Sequence, residues 1–98
     1  MKPLPPLFIP LKAEHFDAFE RGEKTTEFRV HGPRWNSKTC PPGREVILSR
    51  GYGKQSRLSA IIESAGVCPT KSPAFVQIYG DSPDIDCWAI NVKEVKKL

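Results

Sequence analysis

Ala13-Glu14-His15-Phe16-Asp17-Ala18-Phe19-Glu20-Arg21-Gly22-Glu23-Lys24-Thr25-Thr26-Glu27-Phe28-Arg29-Val30 changes its hydrophobic period halfway along. Over Ala13–Arg21, the residues Ala13, Phe16 and Phe19 recur at helical spacing and stripe one face of a short helix. Glu14 and Asp17 lie near its start, where the backbone dipole favours anions, although no good N-cap residue precedes them. Gly22 is a natural C-terminal stop. From Thr25 to Val30 the period becomes two, with Thr26, Phe28 and Val30 on one face and Thr25, Glu27 and Arg29 on the other. A helix hands over to a strand, and Lys24, Glu27 and Arg29 sit at the junction.

On the N-terminal side, Leu7–Leu11 reads as a first strand, with Pro10 confining it to an edge or ending it early. On the C-terminal side, 31–43 is a long Pro-, Gly-, Asn- and Ser-rich loop carrying Trp35. Glu45–Ser49 and Leu58–Ser64 read as two strands of a hairpin joined through Gly51-Tyr52-Gly53-Lys54. Ser72-Pro73 is a helix entry, with Ser as N-cap, leading into a short helix over Ala74–Tyr79 that Gly80 closes. Cys87–Val95 alternates Trp88, Ile90 and Val92 against Ala89, Asn91 and Lys93, the pattern of a final strand with Trp88 in the core. The order β-α-β-β-β-α-β contains no internal repeat. It predicts a mainly β fold with two short helices (α+β): a small, twisted, partly open β-barrel whose helices cover its ends or a seam. At 98 residues the chain is expected to be one domain over 1–98, too small for a large internal ligand cavity.

Net charge is +4, and its distribution matters more than its size. Between Arg21 and Lys38, the bases Arg21, Lys24, Arg29, Arg34 and Lys38 face only Glu23 and Glu27. Between Arg44 and Arg57, the bases Arg44, Arg50, Lys54 and Arg57 face only Glu45. The compensating acids Asp81, Asp84 and Asp86 come late and lack a calcium-loop pattern. Cys40, Cys68 and Cys87 are odd in number, widely spaced and form no Cys-x-x-Cys pair, so neither zinc nor a disulfide framework is expected. His15 and His31 have no neighbour at ligand or triad spacing. The proline-broken lead Met1–Pro6 has no secretory core, and no run reaches the roughly 20 apolar residues of a membrane helix. The expectation is a soluble, cytoplasmic protein without metal or cofactor.

Two clusters carry possible chemistry. Lys24, Glu27 and Arg29 at an element boundary can bind an anion or a polar base edge, and the carboxylate can orient the Lys or accept a proton. Without a ligand, the same residues are a Glu27–Arg29 surface pair beside a solvated Lys24. In Ser49–Arg57, two glycines permit close backbone approach. Arg50, Lys54 and Arg57 can neutralise phosphates, and Tyr52 can stack on a base. Without a ligand this is an ordinary charged hairpin, and its glycine spacing is not that of a Walker loop. Trp35, between Arg34 and Asn36, either stacks on a base or caps the barrel.

The pattern Gly22-x-Lys24-x-x-Glu27-x-Arg29, directly after a short helix with Phe16 and Phe19, resembles the ASCH domain family of the PUA-like β-barrel superfamily. Gly43 before Val46-Ile47-Leu48, the hairpin Arg50–Lys54, and the closing Trp88-Ala89-Ile90 with Val95 follow in the order that family has, over nearly the whole chain. The resemblance implies a basic cleft for RNA or a modified nucleotide, and the residues read as forming it are Lys24, Glu27, Arg29, Arg50, Tyr52, Lys54, Arg57 and Trp35. No membrane association and a monomer are expected. The resemblance also raises an enzyme as an alternative, either an amidohydrolase acting on N4-acetylcytidine or a single-strand ribonuclease, with Lys24 and Glu27 as the catalytic pair. The family's amidohydrolase pattern, Gly-x-Lys-x-x-Thr with a distal Glu, departs here: Glu27 occupies the Thr position, and 71–80 contains no Glu. A second alternative is a protein-interaction module.

Overall fold

In the computed structural model, which describes residues 4–98, five strands and two helices follow in the order β1 (Leu7–Leu11), α1 (Ala13–Glu20), β2 (Thr26–Val30), β3 (Glu45–Arg50), β4 (Arg57–Val67), α2 (Pro73–Tyr79) and β5 (Cys87–Lys97). The expected element order holds, and the ends shift: α1 and β2 are each one residue shorter than read. By contrast, β4 and β5 run on to Val67 and Lys97. Part of the proline-broken lead, residues 1–3, lies outside the described residues.

The strands form one curled half-barrel sheet in the order β1-β3-β4-β5-β2. β3 and β4 make the expected antiparallel hairpin, and β1 joins it in parallel, Leu7 opposite Val46 and Leu11 opposite Arg50. Pro10, which has no N–H to give, therefore sits on an edge strand. β4 and β5 form the longest pair, bent by register shifts at Ser59/Ile61 and Ile62/Ser64 that curl the sheet. β2 closes the other edge against β5.

Alternation along the strands supplies the core. Ile9, Val46, Leu48, Leu58, Ile62, Trp88, Ile90 and Val92 point inward and meet Phe16 and Phe19 of α1. Burial of such side chains contributes roughly 1.5–3 kcal/mol each and is the main term holding the fold together. Trp35 and Cys40 complete this core from the long loop. Asn36 shapes that loop: its side-chain oxygen accepts from the N–H groups of Lys38 (2.9 Å) and Thr39 (3.1 Å), while its amide donates to the Gly32 carbonyl (2.9 Å). Ser72 caps α2 as expected, its hydroxyl accepting from the Phe75 N–H at 3.1 Å. Phe75 and Cys87 are buried but stand outside the main core.

All three cysteines are free thiols, as the sequence suggested, and two of them meet. Cys68 and Cys87 are distant in sequence, yet the β4–β5 pairing brings their sulfurs to 2.7 Å. Cys40 is buried elsewhere in the core. No helix among the described residues is long and apolar enough to cross a membrane.

Candidate functional site

The half-barrel is open between β1 and β2, the two edges of the sheet. A cavity of about 180 Å³ occupies this seam, lined by Pro10 and Leu11 of β1, His15 of α1, Lys24, and Glu27 to Arg29 of β2. Ala74, Phe75, Ile78 and Tyr79 of α2 form its apolar wall. Such a volume is below the roughly 300–1,000 Å³ of sites that enclose drug-sized ligands, and suits a fragment the size of one heterocyclic base.

Local backbone chemistry places Lys24 at the cavity. α1 ends with Arg21 as C-cap, followed by Gly22 at φ 77°. Glu23 N–H reaches back to the Ala18 carbonyl (2.9 Å) and Gly22 N–H to that of Phe19 (3.1 Å), the paired bonds of a Schellman cap. The left-handed conformation at Gly22 is what a residue with a Cβ resists, and it turns the chain so that Lys24 re-enters over α1. The Lys24 ammonium lies 5.4 Å from the Phe19 ring centre.

Glu27 is the centre of the arrangement. Its residue exposure is 7%, and among the described residues only Ser49 is a further buried polar residue. Lys24 Nζ donates to Glu27 Oε1 at 3.2 Å, and Arg29 Nε donates to Oε2 at 3.0 Å. Arg29 Nη2 also donates to the Pro10 carbonyl at 2.5 Å. One guanidinium thus spans the two strand edges that the sheet leaves unpaired. The surface-pair reading of Glu27 and Arg29 is corrected: the face of β2 bearing these two residues turns Glu27 inward, because two cations compensate the buried carboxylate. Formally the three side chains carry one net positive charge beside a partly enclosed cavity, which favours an anionic or strongly polar ligand group.

His15 is also corrected. It is not isolated: Lys24 Nζ donates to its Nδ1 at 3.3 Å, so the ammonium sits between imidazole and carboxylate. A weak signal lay in the sequence, since His15 is four residues before Phe19 and so shares its helix face. The wall from α2 carried no comparable signal. His31 packs against Trp88, ring centres 5.2 Å apart.

The second cluster divides. A depression lined by Pro10, Leu11, Lys12, Arg29, Gly51 and Tyr52 adjoins the cavity and shares its β1 residues and Arg29. Tyr52, 82% exposed, stands at its rim with its ring steeply inclined to that of Phe8, centres 6.3 Å apart. Arg50 is held away by Asp17, Nε to Oδ1 3.3 Å, tying β3 to α1. Arg57 lies over the Phe8 ring at 5.2 Å and donates to the Gly53 carbonyl. Lys54 is exposed on the hairpin. Trp35 is buried as a cap, with Arg29 and Arg34 against its ring at 4.9 and 5.4 Å.

Neither threonine beside Lys24 lines the cavity. Thr26 donates its hydroxyl hydrogen to Asn91 Oδ1 at 2.6 Å, on the opposite face of β2 from Glu27, and Thr25 is exposed. Among the described residues no three or more His, Cys, Asp or Glu side chains converge as metal ligands would. Compared with protein-family models, curated proteins and solved structures, the chain has no match.

Proposed function

We propose that the chain is an ASCH-type, PUA-like domain that binds RNA or a nucleotide in the seam between β1 and β2. The observation that carries this reading is the buried Glu27 carboxylate, bonded on one side by Lys24 and on the other by Arg29, at the floor of a cavity with an aromatic and aliphatic wall. A base enters against Phe75, Ile78 and Tyr79, and Glu27 accepts from its amino group. Lys24 and Arg29 supply the positive field for the phosphate, and Tyr52 offers a stacking surface for a neighbouring base.

A short fluorescent single-stranded RNA titrated at increasing salt tests this. Two to three neutralised phosphates predict that affinity falls roughly five- to twentyfold between 50 and 200 mM salt. An affinity indifferent to salt, or no binding at low salt, rejects the basic-cleft reading.

A hydrolytic reading draws on one specific observation: Lys24 Nζ lies within hydrogen-bond reach of both His15 and Glu27, an arrangement that can relay a proton. It requires a water nucleophile with Glu27 as its base, since the Thr26 hydroxyl is committed to Asn91 and Thr25 does not line the cavity. Mass spectrometry of N4-acetylcytidine and a short RNA after incubation with the protein, beside Lys24→Ala, separates the two. Product lost in the variant makes the site catalytic, whereas unchanged substrates leave it a binding site.

A further inference from the structure

The segment 69–86, which carries α2 and the apolar wall of the cavity, leaves the sheet after Cys68 and returns to it at Cys87. The β4–β5 register pairs Val67 with Trp88, so its next step sets the two cysteines opposite each other. Cys68 N–H donates to the Cys87 carbonyl at 2.8 Å, and the two Sγ atoms lie 2.7 Å apart. Opposed residues of an antiparallel pair have Cα atoms about 4.5–5.5 Å apart. A disulfide spans roughly 4.4–6.8 Å between Cα atoms, so the bond needs little backbone movement. Within the segment, Phe75 is buried apart from the main core, which leaves α2 dependent on its own few contacts.

We propose that Cys68 and Cys87 are a reversible redox pair, oxidised by a low-molecular-weight disulfide such as oxidised glutathione, and that their bond fastens the 69–86 segment to the sheet. Cys68 is half-buried and Cys87 buried, so Cys68 is the thiol a small disulfide reaches. Its thiolate attacks one sulfur of the reagent, forming a mixed disulfide and expelling one small thiol. Cys87 then loses its proton to solvent and attacks Cys68 Sγ, expelling the second small thiol. Two protein thiols are oxidised to one disulfide, and one small disulfide is reduced to two thiols. In the reduced protein the Cys87 thiol is pushed up to about 12, by burial first and then by the hydrogen bond and charge of Cys68; the Ser72 backbone and the Lys71 ammonium act against this. Capping Cys68 as a mixed disulfide removes the thiol interaction that holds the Cys87 proton, which eases the second step. The proposal stands whether or not the cavity binds a nucleotide.

The test uses the full chain without nucleotide, equilibrated across ratios of reduced and oxidised glutathione, alkylated, digested and read by mass spectrometry. The expected result is a Cys68–Cys87 link with Cys40 alkylated, appearing in one redox transition. The oxidised protein melts about 10 °C above the reduced one and protects 69–86 from hydrogen exchange. Because Cys87→Ser risks the fold at a buried site, Cys68→Ser is the working variant: it folds, and loses both the link and the shift in melting. Links through Cys40, stable glutathione adducts that Cys87 does not resolve, or protein that stays reduced in fully oxidised glutathione each overturn the proposal. So does a link that leaves melting and exchange unchanged.

Discussion

Replacing Arg29 with alanine removes three contacts at the seam: the bond to Glu27 at 3.0 Å, the bond to the Pro10 carbonyl, and the face of Trp35 at 4.9 Å. Hydrogen bonds to charged groups contribute about 1.5–3 kcal/mol net, and a cation–π pair about 0.5–2 kcal/mol. These terms belong to one side chain and do not simply add. Glu27 also keeps Lys24 as a partner, so the loss is less than that of stranding a buried charge. The expected destabilisation is about 2–4 kcal/mol, a fall in Tm of roughly 10–20 °C for a domain of this length. Arg34→Ala is the comparison, because Arg34 is exposed and touches the same ring at 5.4 Å. Its cost is expected below about 1 kcal/mol. Thermal unfolding followed by circular dichroism measures both, and hydrogen exchange locates the loosening at β1 and β2. If Arg29→Ala melts no lower than Arg34→Ala, Arg29 does not hold the two edges together and the account of the seam is wrong.

Lys24→Ala should lower RNA affinity at least tenfold while leaving Tm within a few degrees, since Glu27 retains Arg29; equal affinity of the two proteins counts against Lys24 as a phosphate ligand. Tyr52→Ala, at an 82% exposed site, is expected to leave melting unchanged and to weaken oligonucleotide binding by about 1–3 kcal/mol; a mononucleotide should bind the variant and the parent alike. Ser72→Ala removes the cap of α2 and should cost about 1 kcal/mol, read in denaturant unfolding. The Arg21 guanidinium holds the Glu23 carboxyl below its ordinary value by hydrogen bond and charge. Its small contribution is therefore present above the ordinary carboxylate range and lost as pH falls through the lowered value. An NMR titration should show the Glu23 carboxyl moving upward in Arg21→Ala.

Much of the fold was legible because it rests on local rules. Pro10 marks an edge strand, Gly22 ends α1, Ser72-Pro73 opens α2, and the alternation of Trp88, Ile90 and Val92 is the core face of β5. The parallel docking of β1 on β3 was not legible, because no sequence period records which distant strand a short edge strand chooses. At the candidate site the motif residues Lys24, Glu27 and Arg29 converge, but hydropathy points the wrong way on β2. There the face holding a buried carboxylate reads as solvent-facing until its two cations are placed around it. His15 and the α2 wall reach the cavity only through tertiary packing, as do Cys68 and Cys87 at the neck of the α2 segment.

The central claim is that the seam between β1 and β2 is the binding site. Amide and arginine Nε resonances of the isotopically labelled chain, followed as cytidine 5′-monophosphate and then a short single-stranded RNA are added, test it most directly. The account predicts shifts at Leu11 to His15, Lys24 to Arg29 and Phe75 to Tyr79 with the mononucleotide, extending to Tyr52 with the RNA. Silent spectra, or shifts confined to the Lys93–Lys97 end of β5, contradict it.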